Sequence, residues 1–135
     1  MILTDPKSEL YEDMSLYLEK KGYQVKVFNL IHPEHSDRWK CLAEIQHDQL
    51  MAQICADVII RNTSTGKIDH FWDTSELNFL KALILYVDQE KELSERNIGQ
   101  AYRMISEMEE RELDALFDML PKGHPAKAPY NIFKQ

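Results

Sequence analysis

Three short stretches of this 135-residue chain hold side chains of the kinds and spacings that do chemistry. Thr4-Asp-Pro-Lys-Ser-Glu9 follows Met1-Ile-Leu-Thr4, a short apolar run that reads as the end of a buried strand. An acid and a lysine at the carboxyl end of a parallel strand stand where open α/β sheets bind ligands. Asp5-Pro6 is equally a good helix opening, with Asp as cap and Pro at the first helical position, where its missing N–H costs nothing. Asp69, His70 and Asp73 lie close enough in sequence to hold a metal, but capping and orienting a helix is the better use of them. Thr65-Gly66-Lys67 has the Gly-Lys of a phosphate loop without its earlier glycine or its following hydroxyl, since Arg61 and Ile68 fill those places. The histidines show no HxxxH or HExxH spacing, and no Ser-His-Asp, Cys-His or paired-carboxylate arrangement stands out. The acidic run Glu107-Met-Glu-Glu-Arg-Glu112 reads as a solvated face whose acids favour a helix start.

Composition narrows the choices. A formal charge of −7 argues against a broad nucleic-acid footprint, which rests on clustered Lys and Arg, though it leaves room for a small local patch. Cys41 and Cys55, with no CxxC, read as thiols in a reducing cytosol rather than as a disulfide or zinc site. The N-terminus lacks a signal-peptide pattern, and the longest apolar run, Ala82 to Val87, is far short of a membrane span. The expected location is cytoplasmic.

The elements that must position these residues follow from periodicity. A strand at 1–4, a helix carrying Leu10, Met14, Tyr17 and Leu18 to a left-handed stop at Gly22, and a strand at 24–31 spell β-α-β. Two strands alone cannot make a parallel sheet with both faces covered. A polar loop then runs from His32 to His47. Asp48 is placed to cap a helix with Leu50, Met51, Ile54, Cys55, Val58 and Ile59 as its stripe. After a second loop, Asp73 and Glu76 read as a capping box opening a helix to Asp88 that is apolar nearly all round and therefore central to a bundle. Asp88 to Glu95 is expected to be charged and exposed. Asn97 with Gln100 and Ser106 with Glu109 suggest two further boxes. The first helix would turn Ile98, Tyr102 and Ile105 inward, the second Leu113, Leu116, Phe117 and Leu120. Pro121 stops the run, 123–129 reads as an extended linker, and 130–135 as the first turn of another helix.

The blocks Leu3-Thr-Asp-Pro-Lys-Ser-Glu-Leu10, Gly22-Tyr, Val25-Lys-Val-Phe-Asn-Leu30, Ser36-Asp and Trp39 look like the region after the P-loop in type IV coupling proteins. These are the TraG-type conjugative ATPases of bacterial DNA transfer. The likeness continues through Asp69-His-Phe-Trp-Asp73 and His124-Pro-Ala-Lys-Ala-Pro-Tyr-Asn-Ile-Phe-Lys134. The resemblance implies a mainly α fold: an all-alpha helical bundle over 41–122, flanked by a partial β-α-β unit of a RecA-like nucleotide-binding domain over 1–40. Residues 123–135 would be the linker and return to that domain. It further implies an internal fragment of a membrane-anchored motor that joins a relaxase–DNA substrate to a secretion channel, with this piece recognising the relaxase or an accessory transfer protein. Single-stranded DNA and channel components would be partners of the full-length protein, and self-association of the piece is expected from its uncovered sheet.

Under the same resemblance Asp5, Lys7 and Glu9 match an Asp-Pro-Lys-Gly-Glu block near the nucleotide region, with Ser8 where the family usually has glycine. Asp69, His70, Trp72 and Asp73 form a structural or partner motif. The Walker A and Walker B motifs are not in this sequence, so no ATP hydrolysis, catalytic residue, metal or cofactor is expected of the chain itself; ATP and Mg would belong to the full-length ATPase. The alternatives are a free-standing helical adaptor that pairs with a second copy, and a small phosphate- or nucleotide-binding enzyme built on Asp5, Lys7 and His70.

Overall fold

The computed structural model describes residues 2–63 and 70–135, and for 70–73 the backbone alone. The chain divides into two compact units, Met1–Trp39 and Lys40–Gln135. Six α-helices are described, α1 (Glu9–Lys20), α2 (Gln49–Thr63), α3 (His70–Glu90), α4 (Ile98–Glu107), α5 (Glu110–Met119) and α6 (Lys127–Phe133), together with 3-10 turns at Pro33–His35 and Cys41–Glu44. Among the described residues there is no strand.

In the first unit α1 ends as its sequence requires. Gly22 takes φ 84°. Its N–H donates to the Glu19 carbonyl at 2.9 Å, and the Tyr23 N–H donates to Leu18 at 3.1 Å. This double closure is the Schellman arrangement, open to glycine at no steric cost. The expected β-α-β is not formed around it. A strand needs a neighbour for its N–H groups, and here side chains take that place. Val27 N–H donates to Asp37 Oδ2 at 2.7 Å, Asn29 N–H to Ser36 Oγ at 3.0 Å, and the Ile31 and His32 N–H groups to Asn29 Oδ1 at 3.0 and 2.8 Å. Residues 27–37 are thus a loop tied by Asn29, Ser36 and Asp37, with Phe28, Leu30 and Ile31 exposed.

The second unit is built around α3, as its sequence predicts. Ala82, Leu83, Ile84, Leu85 and Val87 are all fully buried, so this stretch has neighbours on every side. The helix begins at His70, three residues before the expected cap at Asp73. Asp88, expected to be exposed, is only 2% exposed. Its Oδ2 accepts the backbone N–H of His47 at 3.0 Å and lies 2.9 Å from His47 Nδ1. A buried carboxylate is tolerated when it is hydrogen-bonded in this way. The bond holds Gln46 and His47, both at positive φ (48° and 66°), in the turn ahead of α2. Asp48 caps α2, with its Oδ1 accepting Leu50 N–H at 2.7 Å.

The loop expected to be polar throughout contributes Leu42 and Ile45 to the core. Two helices bury a different side from the one their large exposed residues mark, opposite to it on α2 and about a quarter-turn from it on α4. On α2 the buried residues are Ala52 and Ala56 while Leu50, Met51, Ile54 and Val58 are exposed; on α4 they are Ala101 and Met104 while Ile98, Tyr102 and Ile105 are exposed. Alanine at a helix contact lets two axes approach closely, so volume alone misleads about which face is inside. α4 and α5 are separate, as expected, but the capping box is Glu109 with Glu112. Neither Asn97 nor Ser106 caps by its side chain: Asn97 precedes α4 without a cap bond, and Ser106 Oγ donates back to the Arg103 carbonyl at 3.4 Å.

Candidate functional site

The residues singled out for chemistry do not form one site. Asp5 is a helix cap: its Oδ2 accepts the Tyr11 N–H at 2.9 Å, the third N–H of α1, which has no partner inside the helix. The residue next to α1 is Ser8, at φ 65° and without a capping bond of its own. That left-handed geometry is the one glycine adopts freely, so a serine here carries strain that a glycine would not. Lys7 and Glu9 are exposed, and among the described residues neither has an ion pair. Asp69 and the side chains of His70, Trp72 and Asp73, the expected motif, lie outside the described residues. Among the described residues no group of three or more His, Cys, Asp or Glu is placed to hold a metal.

The block His124–Lys134 has a clear task. His124, whose side chain is 6% exposed, accepts the Ala126 N–H on Nδ1 at 3.2 Å and faces Glu90 Oε1 through Nε2 at 3.1 Å. Lys127 Nζ donates to the carbonyls of Asp118 and Leu120 at 3.0 and 2.8 Å, where α5 ends and its carbonyls lack partners. Tyr130 stacks on Phe117 with centroids 3.9 Å apart, and Phe133 stacks on Phe79 at 4.4 Å. The Tyr130 hydroxyl donates to Asp114 Oδ1 at 2.7 Å, and Lys134 Nζ reaches Glu110 and Asp114 at 2.7 and 3.0 Å. The Tyr130 hydroxyl and the Lys134 ammonium hold the Asp114 carboxyl below the usual range. Burial, then the bond to Asp114, pushes the Tyr130 phenol up, and the bonds to Glu110 and Asp114 do the same for Lys134. The segment expected to be an extended linker and a first turn is therefore a clasp, fastening α6 to α3 and α5. Pro129 does not break it, because the third residue of a helix has no intrahelical N–H bond to lose.

Two of the remaining exposed surfaces are apolar. An open groove of about 330 Å³ runs between α2, α3 and α4, with Ile59, Phe79, Leu80, Ile98, Tyr102 and Ile105 along it and Glu76 and Thr63 as its polar members. On the other side of α2, Leu50 is 63% exposed and Met51, Ile54 and Val58 lie beside it. Ile54 and Val58 are four residues apart, and Leu50 and Ile54 likewise, so the four make one face. Scattered surface hydrophobics need no explanation, but apolar rows on two neighbouring helices mark a surface suited to a protein partner. No periodicity reading isolates this surface, because it assigns the same residues to the core.

The family model for the type IV secretory system conjugative DNA transfer proteins matches residues 1–134. Comparison with curated proteins and with solved structures gives no match.

Proposed function

The chain belongs to the type IV secretory system conjugative DNA-transfer family, and from that premise we propose that it is part of a conjugative coupling ATPase whose helical unit recognises the transfer substrate. The observation that carries the reading is the pair of exposed apolar faces on α2 and α4, on a unit whose own core is already closed by α3 and α6. The partner in this reading is a relaxase or an accessory transfer protein. The charge of −7 favours a protein over single-stranded DNA as what this piece touches.

The first unit, in the same proposal, is an edge of the motor's nucleotide-binding domain. Phe28, Leu30 and Ile31, exposed in the tied loop, would become strand residues when the rest of a parallel sheet supplies neighbours. Asp5, Lys7 and Glu9 would then lie near the nucleotide region of a membrane-anchored, ATP- and Mg-dependent parent, while this chain hydrolyses nothing by itself. No helix among the described residues is long and apolar enough to cross a membrane.

The test is capture of relaxase from donor-cell extract by the chain and by Ile54→Glu and Tyr102→Glu variants. Both positions are exposed, so the variants keep the fold, checked by circular dichroism. At least a tenfold loss of relaxase retention in one of them is expected. Retention unchanged in both would remove these faces from the recognition surface.

A further inference from the structure

Within the helical unit α2 packs on α3 and on the Cys41–Glu44 turn, with Ala52 and Ala56 buried. Leu50, Met51, Ile54 and Val58 fall on the opposite side at 100° per residue and stay exposed. That face is its own complement. Leu50 and Val58 stand four residues to either side of Ile54, each about 6 Å from it along the axis. A second α2 laid antiparallel across the first at Ile54 therefore sets Leu50 of each copy against Val58 of the other, and Ile54 against itself. Such a contact is isologous, one patch meeting the same patch. The row at i and i+4 is also a ridge that another such row packs beside.

Charge agrees with the spacing. The whole chain carries −7, yet from Gln49 to Thr63 the charged residues are Asp57 and Arg61 alone, paired with each other at 2.8 Å. Two copies meeting here bring no net charge together. The ends of the face differ in sign, with Asp48 six residues before Ile54 and Arg61 seven after it. Antiparallel pairing brings Asp48 of each copy to the Arg61 end of the other. A parallel pairing would oppose Asp48 to Asp48 and Arg61 to Arg61. Both the end charges and the two helix dipoles favour the antiparallel choice.

We propose that the exposed face of α2 is the contact of a twofold homodimer, in which the α2 helices of two copies lie antiparallel and cross at Ile54. The occupant of this face is a second copy of the chain. In the part that rests on the recognition role proposed above, the transfer substrate then keeps the groove that holds Tyr102 and Ile105. Four apolar side chains from each copy make a small contact beside a standard interface, so a reversible dimer with a Kd in the micromolar range is expected.

The experiment is sedimentation equilibrium of the full chain, Ile54→Glu and Leu93→Glu, the last adding the same charge at another exposed position. The wild type and Leu93→Glu should approach twice 15.9 kDa as concentration rises. Ile54→Glu sets two carboxylates against each other on the twofold axis and should raise Kd at least about tenfold. A second measurement uses Ile54→Cys in a chain with Cys41→Ser and Cys55→Ser. Mild oxidation should link it to a covalent dimer far faster than Leu93→Cys in the same background. A wild type that stays at 15.9 kDa throughout overturns the proposal, and relaxase retention lost in Ile54→Glu would then give the face to the transfer substrate. A dimer that Ile54→Glu leaves intact overturns it as well and places the association on another surface. Loss of the dimer in Ile54→Glu with relaxase retention unchanged in Tyr102→Glu would strike the recognition reading and uphold the dimer.

Discussion

Leu10, Tyr11, Met14 and Tyr17 on α1 are all large side chains with apolar bodies, as are Leu83, Ile84, Leu85 and Val87 on α3, yet the first four are exposed and the second four are fully buried. The two regions are ordered by different means. In residues 2–39 no helical residue is buried, and order comes from local bonds of Asp5, Asn29, Ser36 and Asp37 to nearby backbone N–H groups. In residues 40–135 a continuous core joins the Cys41–Glu44 turn to α2 through α6. A side-chain-to-backbone bond contributes about 1 kcal/mol net, while each fully buried large apolar side chain contributes roughly twice that or more. The first region is therefore shaped by its sequence but is not stabilised by burial, and the second is both.

The largest expected contrast is in amide exchange. Protection at Leu83–Val87 should approach that of global unfolding, while amides of α1 should exchange orders of magnitude faster. Equal protection in the two regions, measured by mass spectrometry on the intact chain, would abolish the distinction. Next in size is Phe117→Ala, which deletes a fully buried ring stacked on Tyr130. It should cost about 3–5 kcal/mol of the second unit's stability in urea unfolding and leave α1 exchange unchanged. A loss under about 1 kcal/mol would mean that the clasp is not part of the core.

The pH dependence separates the regions further. Because the folded Asp114 carboxyl is held below its ordinary value, its contribution is complete above the unfolded carboxylate pKa of about 3.9 and is lost as pH falls through the folded value. Lys134 is raised instead, so its contribution is complete below about 10.4 and disappears as pH climbs through the higher folded value. Acid titration of stability should thus be shallower in Asp114→Asn than in the wild type, with α1 exchange indifferent to the change once corrected for intrinsic rates. The smallest effect is Ser8→Gly. Relief of the left-handed serine is worth about 1 kcal/mol, which should slow exchange of the first α1 amides by roughly fivefold and leave the second unit's melting where it was.

Which parts of the molecule could be read in its residues follows the same division. The central helix was legible because an unbroken apolar stretch admits one arrangement only. Gly22 and the break between α4 and α5 were legible because chain-stopping chemistry is local. Periodicity points to the wrong faces of α2 and α4, since it marks the larger apolar residues while the buried positions are Ala52 and Ala56 on α2 and Ala101 and Met104 on α4. Leu42 and Ile45 escaped because a single 3-10 turn has no period to detect. The segments 1–4 and 24–31 carry a strand pattern, but a strand is a property of two neighbours, and among the described residues there is no strand to pair with. His124–Lys134 was recognised as a distinctive block, while its clasp depends on contacts with Glu90, Asp114 and Phe117, which are distant in sequence.

One measurement bears most directly on the proposed place of this chain in a coupling ATPase: the mass of the native product in its source cell, by immunoblot after fractionation. A band far larger than 15.9 kDa that sediments with membranes is the predicted result. A band of 15.9 kDa in the soluble fraction would contradict it and leave the free-standing adaptor in its place.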